Sequence, residues 1–195
     1  MIAGTPEPVA GSPDPPPASV YNIANALTLL RIVLVPLFVW LLFMDGTGWR
    51  IGAFAVFAAA SVTDKIDGDL ARARGLVTDF GKIADPIADK ALTGAALVCL
   101  SALGELWWWV TAVIMVREIG ITVMRFVVIR YGVIPASKGG KLKTMLQVFA
   151  IGFYILPGPL DYLRWVTMAA ALIVTVVTGV DYVVQAWRLR RAPRS

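Results

Sequence analysis

The chain has 195 residues, 58% of them hydrophobic, with 18 Lys and Arg against 13 Asp and Glu, one cysteine and no histidine. So apolar a composition excludes an ordinary soluble domain, and the lack of histidine excludes His-based acid–base chemistry and the usual His-rich zinc sites. The net charge of +5 reads as positive-inside topology rather than nucleic-acid binding, and Cys99, alone in an apolar run, reads as a small buried hydrophobe.

Taken in order, residues 1–20 hold six prolines and no Lys or Arg. They lack the charged and apolar regions of a signal peptide and are expected to form a disordered, Pro-rich cytoplasmic leader. Residues 21–188 are expected to form one transmembrane domain, followed by a basic cytoplasmic tail at 189–195. The first span is predicted at about Leu27–Met44, kinked at Pro36, with Arg31 near its start snorkelling or meeting a phosphate. The second runs from about Trp49 to Val62 and continues as a helix to about Arg74. A break follows from Gly75 to Gly81. The third helix reaches about Gly104. It starts either at Pro86, after an Asp85 cap, or near Asp79 with a kink at Pro86; the second is favoured.

The fourth span, about Leu106–Tyr131, opens with an interfacial belt, Trp107-Trp108-Trp109. Its far half carries Arg117, Glu118 and Arg125. Glu118 is expected to point away from its neighbour Arg117 and to pair with another basic group. A basic loop with Arg130, Lys138, Lys141 and Lys143 leads to a fifth span at about Leu142–Leu156, and a sixth covers about Tyr162–Trp187. Asp181, in that last span, reads as a structural hydrogen-bonding group. The fold class is therefore an all-α integral membrane protein of six transmembrane helices. The loops 1–2, 3–4 and 5–6 contain only Arg50 and Arg164 among the basic residues. That asymmetry puts both termini in the cytoplasm.

The chemistry concentrates in residues 64–89, DKIDGDLARARGLVTDFGKIADPIAD, which contain six aspartates. Asp64 and Asp67 are spaced i,i+3, and Asp85 and Asp89 i,i+4, so each pair shares a helix face. Four converging carboxylates at a membrane edge repel and lose hydration, and would take up protons unless something positive sits among them. Two divalent cations, Mg²⁺ or Mn²⁺, meet that need with hard oxygen ligands. They also suit a two-metal phosphoryl displacement.

Written as a pattern, the stretch is Asp64-x2-Asp67-Gly68-x2-Ala71-Arg72-x8-Gly81-x3-Asp85-x3-Asp89. It resembles, at every fixed position, the signature of the CDP-alcohol phosphotransferases. Around it, Asn22-Ile-Ala-Asn25-Ala-Leu-Thr28-Leu-Leu-Arg31, Arg117-Glu118-x3-Thr122-x2-Arg125 and Pro135-Ala-Ser-x3-Lys141-x-Lys143-Thr144-x2-Gln147 resemble the bacterial subgroup that joins CDP-diacylglycerol to glycerol 3-phosphate, giving phosphatidylglycerophosphate and CMP. The resemblance covers about residues 20–185. It implies six transmembrane helices in a homodimer at the cytoplasmic membrane. It implies metal binding by Asp64, Asp67, Asp85 and Asp89, with Asp89 also the general base. It implies contacts to CDP-diacylglycerol from Gly68, Arg72, Thr78 and, less directly, Asn25.

Glycerol 3-phosphate is a dianion and needs cations. Arg117, Arg125, Lys141 and Lys143 are the candidates; structural pairing or a headgroup patch is the plainer reading of the same residues. Two other readings remain at this stage. A cardiolipin synthase or an inositol-phosphate-using member would keep the chemistry and change the acceptor. A divalent-cation transporter would place its acids near the bilayer midplane in repeated segments, and no repeat is visible here.

Overall fold

Long apolar runs satisfy their backbone polar groups within one segment only as helices, and helices are what form. The computed structural model describes residues 23–74, 79–128 and 138–191; at 23–25, 65–74, 79–86, 89, 125–128, 138 and 191 it describes the backbone path alone. Six helices follow in order: α1 (Ile23–Leu42), α2 (Thr47–Arg74), α3 (Asp79–Ala102), α4 (Trp108–Val128), α5 (Lys138–Ile155) and α6 (Asp161–Arg191). Among the described residues there is no strand. The largest interfaces join α1 to α2 and α5 to α6; α1 also packs on α3, and α4 on α6.

The expected elements are all present, with shifted edges. α2 runs unbroken to Arg74, as the sequence suggests. α3 begins at Asp79 and holds Pro86 in its interior, so the longer of the two expected helices forms and Gly81 lies within it. α5 begins at Lys138, before the expected Leu142, so Lys138 and Lys141 stand on a helix rather than in the loop before it. α6 reaches Arg191 and takes in the start of the expected tail. The expected leader at 1–20 lies outside the described residues.

A buried seam holds the bundle together. Phe38 and Leu42 of α1 meet Ala53, Phe57 and Ala60 of α2, and Leu97 and Leu100 of α3; Ile114, Ile151, Ile155, Met168 and Ala171 complete it from α4, α5 and α6. The Phe38 and Phe57 rings lie 5.8 Å apart. Ala53 and Ala60 have no exposed surface, and such small residues let helices approach closely. Ser101 and Thr111 share a buried 2.7 Å hydrogen bond between α3 and α4, and Thr111 Oγ1 also donates to the Leu97 carbonyl. Gly104, at φ 74°, ends α3. Its N–H reaches the Ser101 carbonyl and that of Glu105 reaches Leu100, a Schellman closure that a side chain at this φ would strain.

The outer surface is apolar. Val33, Val116, Ile173 and Val177 are each more than half exposed, as in a bundle that meets hydrocarbon and not in a soluble monomer. The stretch Asp161–Arg190 of α6 is long and apolar enough to cross a membrane, and only 22% of its apolar window is buried. Among the described residues it is the one helix that passes on length and composition together; α1 and α3 carry shorter apolar stretches, Ala26–Leu42 and Lys90–Ala102.

Candidate active site

Helical register carries the seam into the acidic end. On α2 the buried positions 53, 57 and 60 continue, at three- and four-residue steps, to positions 64 and 67. On α3 buried Ala88, Leu92 and Ala96 occupy the stripe that holds positions 85 and 89. The spacing that buries apolar side chains in mid-helix thus delivers the four aspartate positions to one end of two helices that touch. Gly68 and Arg72 follow on α2, Asn25 lies on α1 and Arg125 on α4. Thr78 falls outside the described residues. Among those residues no three His, Cys, Asp or Glu side chains gather; of the four motif acids, Asp64 alone has a described side chain.

Asp64 is not alone. Arg31 Nη1 lies 2.7 Å from its Oδ1, with Arg31 1% exposed and Asp64 36%. Arg31 occupies the stripe of α1 that also buries Thr28 and Phe38. Of the two expectations for Arg31, snorkelling or meeting a phosphate, the first is corrected: the side chain is buried in the bundle and pairs with a carboxylate one helix away. The positive charge that the acidic cluster requires is supplied in part by the protein. The donor set, carboxylate oxygens on two adjoining helices, also fits hard divalent cations such as Mg²⁺ or Mn²⁺.

A second charged cluster joins α4, α5 and α6. Glu118 Oε1 accepts from Lys143 Nζ at 2.6 Å and from Arg117 Nη1 at 3.0 Å. Arg117 Nη2 donates to Thr178 Oγ1 at 3.0 Å. Glu118 does pair with another basic group, Lys143, as expected. It also pairs with its neighbour Arg117, against expectation: long side chains bend over the helix surface and meet, whatever the directions of their Cα–Cβ bonds. Arg117 lies across α6 at Gly179, where an added Cβ would come 3.1 Å from Arg117 Cγ. Lys143 is 6% exposed, whereas Lys141 is exposed.

Beside this cluster is a small cavity of about 30 Å³, open to solvent on one side. Its polar lining is Lys90 and Thr93 of α3, Glu118 of α4, and Lys143, Thr144 and Gln147 of α5. Gln147 is 3% exposed, and its Nε2 has no hydrogen-bond partner among the described residues. A buried donor left without a partner costs about 1–3 kcal/mol. Sequence reasoning places Gln147 in a motif without giving it a task. Asp181 accepts a 2.8 Å hydrogen bond from Gln185, the structural role expected of it.

The family model of the CDP-alcohol phosphatidyltransferases matches residues 21–177. The chain belongs to that family. It is 56% identical over 176 residues to a probable phosphatidylglycerophosphate synthase of Mycobacterium tuberculosis, covering 88% of this chain and 84% of the relative. It is 33% identical over 187 residues to the CDP-diacylglycerol–glycerol-3-phosphate 3-phosphatidyltransferase of Bacillus subtilis, covering 86% and 96%. The Shigella flexneri enzyme of the same name is 34% identical over 163 residues, covering 81% and 89%. The family match takes in the whole aspartate motif, Arg31, Arg117, Glu118, Lys143 and Gln147.

Proposed function

We propose that this chain transfers the phosphatidyl group of CDP-diacylglycerol to sn-glycerol 3-phosphate, releasing CMP and forming phosphatidylglycerophosphate for phospholipid synthesis. The observation that carries the reading is the 56% identity, over most of both chains, to a relative with that name. The aspartate motif on α2 and α3 supports it.

In this mechanism a hydroxyl oxygen of glycerol 3-phosphate attacks the phosphorus that bears the diacylglycerol. The new P–O bond forms as the bond to CMP breaks, and the hydroxyl proton passes to the carboxylate of Asp89. An unperturbed Asp has a pKa of about 3.9, so Asp89 works by position rather than basicity. Asp64, Asp67, Asp85 and Asp89 would hold two divalent cations, Mg²⁺ or Mn²⁺, which when bound supply positive charge to the diphosphate. Arg72 adds a fixed positive charge where negative charge grows on the departing CMP. Gly68 lets backbone approach the nucleotide, with Thr78 and Asn25 as further contacts. Arg117, Arg125, Lys141 and Lys143 are the cations offered to the acceptor's phosphate.

The same reading makes the bundle a six-span protein of the cytoplasmic membrane, with both termini and the aspartates on the cytoplasmic side, working as a homodimer. Its exposed apolar belt and the apolar length of α6 support the membrane setting. The sixteen basic residues outside loops 1–2 and 5–6 support the orientation.

The test is CMP release by purified protein in detergent, with CDP-diacylglycerol and Mg²⁺ or Mn²⁺. Glycerol 3-phosphate, inositol phosphate and phosphatidylglycerol are offered separately. Turnover with glycerol 3-phosphate, lost in Asp89→Asn, is expected. Turnover only with phosphatidylglycerol or inositol phosphate would reassign the acceptor. No CMP from folded protein with any acceptor would remove the transferase reading and leave cation transport to be tested.

A further inference from the structure

The cavity between α3, α4 and α5 brings together a buried donor that the bundle leaves unfinished and a carboxylate with one oxygen outside its ion pairs. Gln147 Nε2 is a buried donor with no partner among the described residues. Glu118 is an acceptor whose two cationic partners both engage Oε1; among the described residues no donor reaches Oε2. Buried polar groups in native proteins have a partner in protein, water or ligand. Donor and acceptor side by side match one chemical group, an alcohol, which accepts one hydrogen bond and donates another.

The Glu118 carboxylate repels a phosphate placed against it, whereas the lining also carries the cations Lys90 and Lys143. The spot between Gln147 and Glu118 therefore suits an uncharged group, with the lysines left for the phosphate. The position is also suggestive. Thr93, which lines the cavity, lies one turn after Asp89 on the same face of α3, and neighbours at this spacing are about 5–6 Å apart. The backbone position of Asp89, the proposed proton acceptor, therefore lies one helical turn from the cavity lining.

We propose that Gln147 and Glu118 recognise the non-reacting hydroxyl of the acceptor, the one on its middle carbon. The Gln147 amide donates a hydrogen bond to that oxygen, and the hydroxyl donates one to Glu118 Oε2. Gln147 is then a specificity residue for a polyol phosphate with adjacent hydroxyls. The inference rests on glycerol 3-phosphate being the acceptor and adds which of its groups this cavity reads.

The experiment compares kcat/KM for glycerol 3-phosphate and for 3-hydroxypropyl phosphate, which lacks the middle hydroxyl. Wild-type protein and Gln147→Met, a near-isosteric change, are used with CDP-diacylglycerol as donor. Wild type is expected to prefer glycerol 3-phosphate by about 10- to 100-fold. Gln147→Met should lose most of that preference, by a fall with glycerol 3-phosphate and little change with the analogue. The KM for CDP-diacylglycerol should stay put. Equal losses with both acceptors would mean a structural role, or a bound water only, and would overturn the proposal. A wild-type preference near one would overturn it with no variant needed. Wild type that releases CMP with another acceptor but not with glycerol 3-phosphate would instead sink the functional reading, and this inference with it.

Discussion

The two ends of the bundle handle charge in opposite ways. At the end where α1 meets α2, α3 meets α4 and α5 meets α6, arginines are consumed by the protein. Arg50 Nη2 donates to both oxygens of Glu105 at 2.6 Å and to the Tyr154 carbonyl at 3.3 Å. Arg164 donates to the carbonyls of Phe153 at 2.9 Å and Leu156 at 2.6 Å, and to Asp161 at 3.1 Å. Two cations thus close the last turn of α5, where exposed carbonyls and the helix dipole favour positive charge. Six of the seven tryptophans gather at this end; Trp40 stacks edge-on with Trp49, and Trp107 with Trp165. At the other end Arg31 faces Asp64, and a buried amide N–H has no partner among the described residues. The first end is tied off by its own hydrogen bonds; the second also has ion pairs but leaves a buried donor open. Arg50 and Arg164 should show up in stability alone, and Asp89 in turnover.

The sharpest way to break that contrast is at Asp89. Asp89→Asn should reduce CMP release roughly 10²–10⁴-fold, the usual range for a lost acid–base group, with the melting temperature of the detergent-solubilised protein no lower. A variant that kept its rate would remove the base from position 89. Next comes Arg31→Ala, which strips the described cation from Asp64. Breaking a buried pair typically costs 3–5 kcal/mol, and the partial exposure of Asp64 places this one at about 3 kcal/mol. Thermal unfolding in detergent should register the loss, and Arg31→Lys should restore part of it. An unchanged melting temperature would show that the pair adds nothing to the fold.

Arg164→Ala tests the first end. Two carbonyls lose a charged donor, for an expected cost of about 2 kcal/mol, while kcat and both KM values stay at wild-type levels. A fall in kcat without a fall in stability would make the two ends alike and end the contrast. The smallest effect belongs to Arg50 and Glu105. A double-mutant cycle on thermal stability should return a coupling below about 1 kcal/mol, as for most surface pairs. A coupling of several kcal/mol would mean that this pair is shielded far more than its exposure suggests.

What the sequence disclosed followed from local rules. Hydrophobic runs gave six helices, and i,i+3 and i,i+4 spacing put the aspartate pairs on helix faces. The start of α3 at Asp79, with Pro86 inside, was also within reach. α5 was harder, because its first turn, Lys138-Gly-Gly-Lys141, looks like a loop by composition. Its glycines and lysines become helical only because the apolar run behind them already is. The pairings were hidden for a different reason. Arg31 and Asp64 sit on separate helices, as do Glu118 and Lys143, and no spacing rule connects them. Snorkelling was the local answer for Arg31, and tertiary packing overrode it. Gln147 gave only a faint signal: a long amide among Leu146, Val148 and Phe149, on the stripe that buries Lys143, Ala150 and Ile151. A polar side chain in such register could have been marked as a buried donor awaiting a partner.

The Arg31–Asp64 pair also bears on how the protein is made. Its partners lie on α1 and α2, the first two helices to be synthesised and, with α5 and α6, among the most closely packed. A nascent chain entering a bilayer cannot leave a bare carboxylate beside hydrocarbon without a penalty. Here the first hairpin brings its own counter-ion, so Asp64 is neutralised before the last four helices exist. The charge balance of Asp64 is thus settled within α1 and α2, independently of α3 to α6.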